Sequence, residues 1–285
     1  MSVPWPGGAR CAVCVSWDVD ADSLVLHRRP DRGYELYGGL SWLRYDEVAV
    51  PKIVELFARY GIKQTFCVTG WCIERYPAMC EAILAGGHEI GCHGWFHEDA
   101  ATLGRDQERE LIERCAEAVE RVAGARPTGW RAPYWSLGAA SLALVEAAGF
   151  AYDSSLMAED HHLYRVRHGD RHSVADGTRF GREGTLVEVP VSWALDDWPH
   201  FEPSATGDRD GLSAPSKVLE IWTEELRYAW AHAPDGLLTI TMHPECIGRG
   251  HRMAMLERFI DAAAALEGVV FDRLDRYVER WLTGS

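Results

Sequence analysis

Cys11-Ala12-Val13-Cys14-Val15-Ser16-Trp17-Asp18-Val19-Asp20-Ala21-Asp22 is an apolar run that turns acidic at its end. Small and β-branched residues make a strand of Ala12–Ser16, and three carboxylates spaced by two follow directly. On an extended chain that spacing points Asp18, Asp20 and Asp22 to the same side. An isolated acidic run is more often a solvated loop or a helix cap, so its meaning depends on what the rest of the chain brings beside it.

Moving outward, similar short runs recur at Lys63–Val68, Glu89–Cys92, Thr128–Arg131, Ala151–Asp153, Leu186–Pro190, Leu237–Met242 and Val269–Phe271. Amphipathic helical patterns alternate with them at Asp46–Tyr60, Pro77–Ala85, Arg105–Ala123, Ala139–Ala148, Pro215–Ala233, Arg252–Leu266 and Asp272–Trp281. In one of these, Leu111, Cys115, Ala118, Val119 and Val122 form an apolar stripe that needs a sheet face to cover it. Such alternation predicts an α/β fold with a largely parallel sheet, and eight strands suit a closed barrel. Ala21–Trp42 and Met157–Glu183 are too polar for core elements and are expected as loops or small hairpins over one barrel end. With no repeat or linker in view, residues 1–285 are assigned to a single domain.

Forty-three acidic against 29 basic side chains give a net charge of −14, and no Lys/Arg cluster offers a footprint for phosphate, which excludes nucleic acid as a partner. Charges interrupt every hydrophobic stretch before the length of a membrane span, so no membrane association is expected. Eight scattered cysteines read as buried free thiols; the lone CxxC, Cys11 and Cys14, lies on a strand that points the two to opposite faces. Free thiols and an N-terminus without signal-peptide features point to a cytoplasmic compartment.

Chemistry concentrates just past the strands. Cys92-His93-Gly94-Trp95-Phe96-His97-Glu98 carries two imidazoles four residues apart, which one helical turn would put on one face. Two His and a carboxylate from elsewhere make a metal site with open positions for water and substrate. Gly129-Trp130-Arg131-Ala132-Pro133-Tyr134-Trp135, Val191-Ser192-Trp193-Ala194-Leu195-Asp196-Asp197-Trp198 and Thr241-Met242-His243-Pro244-Glu245 each follow a strand too. In a barrel they would gather at the C-terminal face with Asp20, His93 and His97.

These ordered motifs resemble the polysaccharide deacetylase (NodB-homology) family over nearly the whole chain. The opening acidic motif is similar to Ser16-Trp17-Asp18-Val19-Asp20, the His-box to His93–His97, the Arg-x-Pro-Tyr motif to Arg131–Tyr134, and the late catalytic His to His243. The continuation through Gly248-Arg249-Gly250-His251-Arg252-Met253 resembles a branch of peptidoglycan-deacetylase-like proteins, allantoinases and cyclic imide hydrolases.

The resemblance implies a deformed (β/α) TIM-like barrel and a metal-dependent hydrolase of non-peptide carbon–nitrogen bonds. It assigns a divalent metal, zinc by expectation, to Asp20, His93 and His97, and the general base to Asp18, aligned by Arg131. It gives the Tyr134 N–H to the oxyanion and the leaving-group acid to His243, with Asp197, or alternatively Asp196, orienting that imidazole. The extra Val19 between the acids leaves open an exchange of base and ligand between Asp18 and Asp20. Allantoinase-like members lose the second His, whereas His97 is present here. The substrate is expected to be an N-acetylated sugar or a small molecule; a cyclic imide or ureide ring, and a catalytically silent binding protein, are the alternatives. The branch also implies a homo-oligomer. His161 and His162, in a polar loop, read as an exposed pair rather than a second metal site; His200, His251 and Arg252 read as substrate contacts or surface residues equally, and the motif-flanking tryptophans as ordinary packing.

Overall fold

The computed structural model describes residues 8–28, 37–202 and 213–284. Its strands are β1 (Cys11–Val19), β2 (Thr65–Val68), β3 (Glu89–Cys92), β4 (Gly129–Trp130), β5 (Tyr152–Asp153), β6 (Tyr164–His168), β7 (Arg171–Ser173), β8 (Gly177–Arg179), β9 (Arg182–Glu188), β10 (Gly236–Met242) and β11 (Val269–Asp272). Helices α1 (Ser23–Arg28), α2 (Tyr37–Leu43), α3 (Asp46–Arg59), α4 (Gly70–Arg75), α5 (Pro77–Ala85), α6 (Arg105–Ala123) and α7 (Ser141–Ala147) precede β6. After β9 come α8 (Trp198–Phe201), α9 (Pro215–His232), α10 (Pro244–Ile247), α11 (Gly250–Ala264) and α12 (Leu274–Thr283).

Strands β10, β1, β2, β3, β4, β5 and β9 pair in parallel in that order, and β6 adds antiparallel to β9. This curled, parallel-rich sheet is the deformed (β/α) barrel that the family resemblance implies, and it differs from the closed eight-stranded barrel suggested by the strand count. The eighth predicted strand, β11, does not close the ring. It pairs with Cys11–Cys14 of β1 while β2 pairs with Ser16–Val19, so two four-residue strands share one side of a nine-residue strand. Beyond β9 the sheet curls back onto β10 through isolated contacts: Leu237 N donates to His161 O at 2.8 Å and Asp197 N to Thr241 O at 3.1 Å.

Alternation along β1 sorts the interior. Val13, Val15 and Trp17 pack outward into the core shared with α3, where Trp17 stacks on Phe66 and meets the edge of Phe57. Ala12 and Cys14 join Tyr152, Val187, Leu237 and Tyr277 in a second cluster. Two-residue periodicity continues that row into Ser16, Asp18 and Asp20, apolar at one end and polar at the other. Cys11 and Cys14 fall in different clusters, and all eight cysteines are free and buried. On α6, Ile112 and Ala116 join Cys115, Ala118 and Val119 in the buried stripe, whereas Val122 is exposed.

The two long polar segments differ from one another. Ala21–Trp42, expected as loops or small hairpins, instead holds α1 and most of α2; residues 29–36 lie outside the described residues. Met157–Glu183 contains β6 and the β7–β8 hairpin, as expected for that stretch. No helix among the described residues is long and apolar enough to cross a membrane.

Glu89 anchors the barrel at the end away from the acidic row. It accepts from Thr65 Oγ1 at 2.6 Å, Tyr152 Oη at 2.8 Å and Asp275 N at 3.2 Å. Burial, with the Asp275 charge nearby, pushes its carboxyl from 4.5 up to about 7. Between these values the unfolded chain releases the proton while the folded chain keeps it, so stability falls as pH rises. Glu89→Gln lacks this titration. Wild-type stability relative to Glu89→Gln is therefore expected to drop by about 3 kcal/mol from pH 4.5 to pH 7.5 in urea unfolding, whereas a difference independent of pH would contradict the burial argument.

Candidate functional site

Because β1, β3, β4, β5 and β10 run parallel, the residues after them meet at one end. His93 directly follows β3 and Asp20 directly follows β1. The segment from His93 to His97 is not the helical turn expected from its spacing. Gly94 (φ +71°) and His97 (φ +57°) take left-handed backbone, and this reversal, rather than helical periodicity, brings the rings to 5.1 Å between centroids. The loop is tied down by Gly70 N to Gly94 O at 3.0 Å and Trp71 N to Trp95 O at 2.8 Å. Glu98, buried, braces it from within by accepting from Trp95 N.

Asp20 Oδ2 lies 3.1 Å from His97 Nε2 and Asp20 Oδ1 3.4 Å from His93 Nε2. His93 Nδ1 is 2.9 Å from the Arg131 carbonyl, which can only accept, so Nδ1 carries the proton of the neutral ring. Burial lowers the His93 pKa despite the carboxylates of Asp18 and Asp20, so the ring stays neutral. Its Nε2 then turns a lone pair towards a carboxylate oxygen, with no hydrogen between them. Asp20 Oδ1 and His97 Nδ1 are both buried without a hydrogen-bond partner. Burial alone would raise the Asp20 carboxyl, but His97, His93 and His243 hold it well below the ordinary carboxylate range. An ionised carboxylate facing two imidazoles is a donor set that fits a divalent cation.

Asp18 stands apart from this cluster. Its Oδ1 accepts from Arg131 Nη1 at 2.9 Å, and its Oδ2 is 3.8 Å from His93 Nε2. Arg131 is fully buried and also donates to Ser16 Oγ, Ser154 O and Ser154 Oγ at 2.7–2.9 Å. Burial opposes its charge, but Asp18 outweighs it and the guanidinium remains a cation. Ser155 supports the neighbouring backbone, accepting from Ala132 N at 2.8 Å and donating to Asp153. Sequence reasoning overlooked Ser16, Ser154 and Ser155; polar residues at the ends of β1 and β5 were the available signal.

His243, after β10, lies beside Asp197, the carboxylate expected first for it. Its Nδ1 is 2.8 Å from Asp197 Oδ1, and its backbone N donates to both Asp197 oxygens at 3.1 Å. Asp196 is farther, at 3.7 Å, and accepts from Trp198 N. These three residues also lie close enough to share an ion, but here N–H groups already occupy the Asp197 oxygens, unlike Asp20. Burial disfavours charge on His243, yet Asp197, Asp196 and Asp20 hold its pKa well above the usual imidazole range. Behind Asp20, Asp46 accepts from Ala21 N at 3.2 Å and sits beside Glu245. Burial pushes both carboxyls up, Asp46 to about 7, so the pair retains a proton at neutral pH.

Tyr134 has φ +58° and sets its ring edge-on to His97, 4.3 Å between centroids. Trp135 packs 4.3 Å from Trp193, which is 47% exposed, and Trp198 lies 4.9 Å from His243. Trp17 and Trp95 are core residues. His161 departs from the exposed pair expected with His162: it is buried, 3.3 Å from both Leu237 O and Glu225, tying β10 to α9. His251 is exposed, whereas Arg252 is buried.

A curled parallel sheet that gathers an Asp–His–His cluster, an Arg–Asp pair and a His–Asp pair at its carboxyl ends defines a deformed (β/α) barrel of the NodB type. The polysaccharide deacetylase profile matches residues 37–152. A Mycobacterium smegmatis protein of known structure, classed as a polysaccharide deacetylase, is 34% identical with a TM-score of 0.86, covering 99% of this chain and 94% of that one. The chain belongs to the polysaccharide deacetylase family. The peptidoglycan deacetylase of Helicobacter pylori is 29% identical over 283 residues, 95% of this chain and 93% of its own length. An allantoinase of known structure shares the fold, with a TM-score of 0.80 at 23% identity over 99% of this chain and 94% of its own.

A cluster fitted to a cation is expected to gain stability from one. At free zinc about 100-fold above Kd, the metal-stripped wild type is expected to gain about 2.7 kcal/mol. Asp20→Asn should lose that gain and the zinc retained after dialysis; equal zinc retention by the variant would remove Asp20 from the ligand set.

Proposed function

We propose that this protein is a metal-dependent hydrolase of non-peptide carbon–nitrogen bonds, acting on N-acetyl groups of a sugar polymer. The name of the Helicobacter relative supports that substrate class. The observation that carries the reaction type is the pair of contacts beside the Asp–His–His cluster: a carboxylate held by a buried guanidinium and an imidazole held by a buried carboxylate. Asp20, His93 and His97 would hold the metal, and the mixed carboxylate–imidazole set suits zinc. When bound, such an ion polarises the amide carbonyl and acidifies water.

The chain's own groups supply the remaining steps. Asp18 takes a proton from the attacking water, and Arg131 keeps that carboxylate ionised and aimed. As the water oxygen bonds to the amide carbon, negative charge develops on the carbonyl oxygen, to which the Tyr134 N–H donates. His243 Nε2 gives its proton to the leaving nitrogen, because Nδ1 is engaged with Asp197 and the ring is held in its charged form. The carbon–nitrogen bond then breaks to leave an amine and a carboxylic acid. Asp18 thus acts as base and Asp20 as ligand, the assignment that the Arg131 contact favours.

Acetate release from N-acetylglucosamine tetramer and ring opening of succinimide test the substrate. Release of acetate is expected; ring opening without acetate would replace the sugar reading with a cyclic imide one. Asp18→Asn should lower kcat by about 10²–10⁴ with zinc content unchanged, and unaltered turnover would exclude this mechanism.

The charged state of His243 adds a pH signature. Wild-type kcat should hold until pH exceeds the raised pKa of the imidazolium, then fall. Asp197→Asn removes the partner that raises that pKa, so the alkaline limb is expected to move to lower pH. A limb in the same position would argue against His243 as the acid.

A further inference from the structure

Arg252 is buried in the structure yet has no part in the reaction just described. It sits between two one-turn helices, α8 and α10, whose N-cap residues are Asp197 and His243. At their leading ends the helices are joined by the bonds between those two caps, 2.8 Å from ring to carboxylate and 3.1 Å from backbone. At their trailing ends both present carbonyls, and one guanidinium spans them. Arg252 Nη2 donates to Phe201 O at 3.1 Å and Nη1 to Cys246 O at 2.8 Å. Glu202, at 3.5 Å, is its carboxylate partner, and the guanidinium lies 4.6 Å over the Phe201 ring.

A four-residue helix satisfies almost none of its own terminal carbonyls and does not persist alone. Burying a cation there costs desolvation, which two carbonyls, a carboxylate and an aromatic face must offset. The planar fork of an arginine, unlike an ammonium, spans two acceptors at fixed separation. Beyond the caps the helices also meet through Cys246 Sγ, 3.8 Å from Asp197 O and bonded to the Glu202 carboxyl, but only the guanidinium bonds a trailing main-chain carbonyl of each helix, which holds the two as one body.

We propose that Arg252 is a positioning residue for His243, clamping the trailing ends of α8 and α10 so that Asp197 stays in line with the imidazole. The consequence for turnover rests on the acid role given to His243 above, whereas the clamp itself does not. Its readout is the proton on His243 Nδ1, observed by NMR as a downfield resonance and assigned by its loss in His243→Gln.

In zinc-loaded protein without substrate, that proton is expected to exchange with solvent about ten-fold faster or more in Arg252→Met than in wild type, with zinc content unchanged. Arg252→Lys, which keeps the charge but not the fork, should also exchange faster and carries the test if the Met variant does not fold. With N-acetylglucosamine tetramer, kcat should fall by about ten-fold or more in Arg252→Met while KM changes little. Exchange within about two-fold of wild type in either folded variant, even with a lowered melting temperature, overturns the proposal. A wild type without turnover would count against the hydrolase reading alone, since the exchange measurement needs no substrate.

Discussion

The guanidinium of Arg131 is the contact on which the carboxyl end of the barrel depends. Its side chain bonds Ser16 and Asp18 of β1 and Ser154 after β5, while its own carbonyl accepts from His93 after β3. One residue following β4 therefore sets the relative positions of four strand ends. Removing one partner of such a buried pair typically costs 3–5 kcal/mol, because the other charge is left uncompensated. The main-chain carbonyl of the same residue fixes the neutral tautomer of the His93 ring, so Arg131 orders one part of the site through its side chain and another through its backbone.

That arrangement separates two carboxylates only two residues apart. Asp18 and Asp20 emerge on the same side of β1, as alternation requires, yet Asp18 is turned to a cation of the protein and Asp20 to two imidazoles. The inserted Val19 is what permits this: an extended residue between them puts both carboxyls on one face at successive levels. His243 repeats the contrast. Its carboxylate partner is saturated by N–H groups, so the ring is bound as a donor, whereas the oxygen of Asp20 nearest His93 has no hydrogen-bond donor.

Much of this was legible in the residues themselves. Strand positions followed from apolar runs, and the convergence of Asp18, Asp20, Arg131 and His243 followed from a parallel sheet, since residues after parallel strands share an end. Other features were not legible. The His93–His97 spacing suggests a helical turn, but left-handed backbone at a histidine leaves no mark in composition. Nor could periodicity reveal that β2 and β11 share one side of β1, because strand pairing is a long-range choice. Ser154, and the contacts of Arg252, escaped for a related reason: what matters is which guanidinium or carbonyl groups these residues meet, and those partners lie elsewhere in the sequence.

The backbone itself records where the fold carries strain. Five non-glycine residues have positive φ among the described residues, and four of them, Ala21, His97, Tyr134 and Trp135, follow strands at the carboxyl end of the barrel. Each such conformation costs on the order of 1–3 kcal/mol and persists only where its surroundings over-determine it. Those surroundings are identifiable: Asp46 holds Ala21, Glu98 and α4 hold the loop of His97, and the carbonyls of Ala132 and Pro133 turn the chain at Tyr134 and Trp135. Strain at these positions does nothing for stability, which the apolar clusters of the outer core and the opposite barrel end provide. It accompanies the turns that set the His97 and Tyr134 rings edge to face and Trp135 against Trp193.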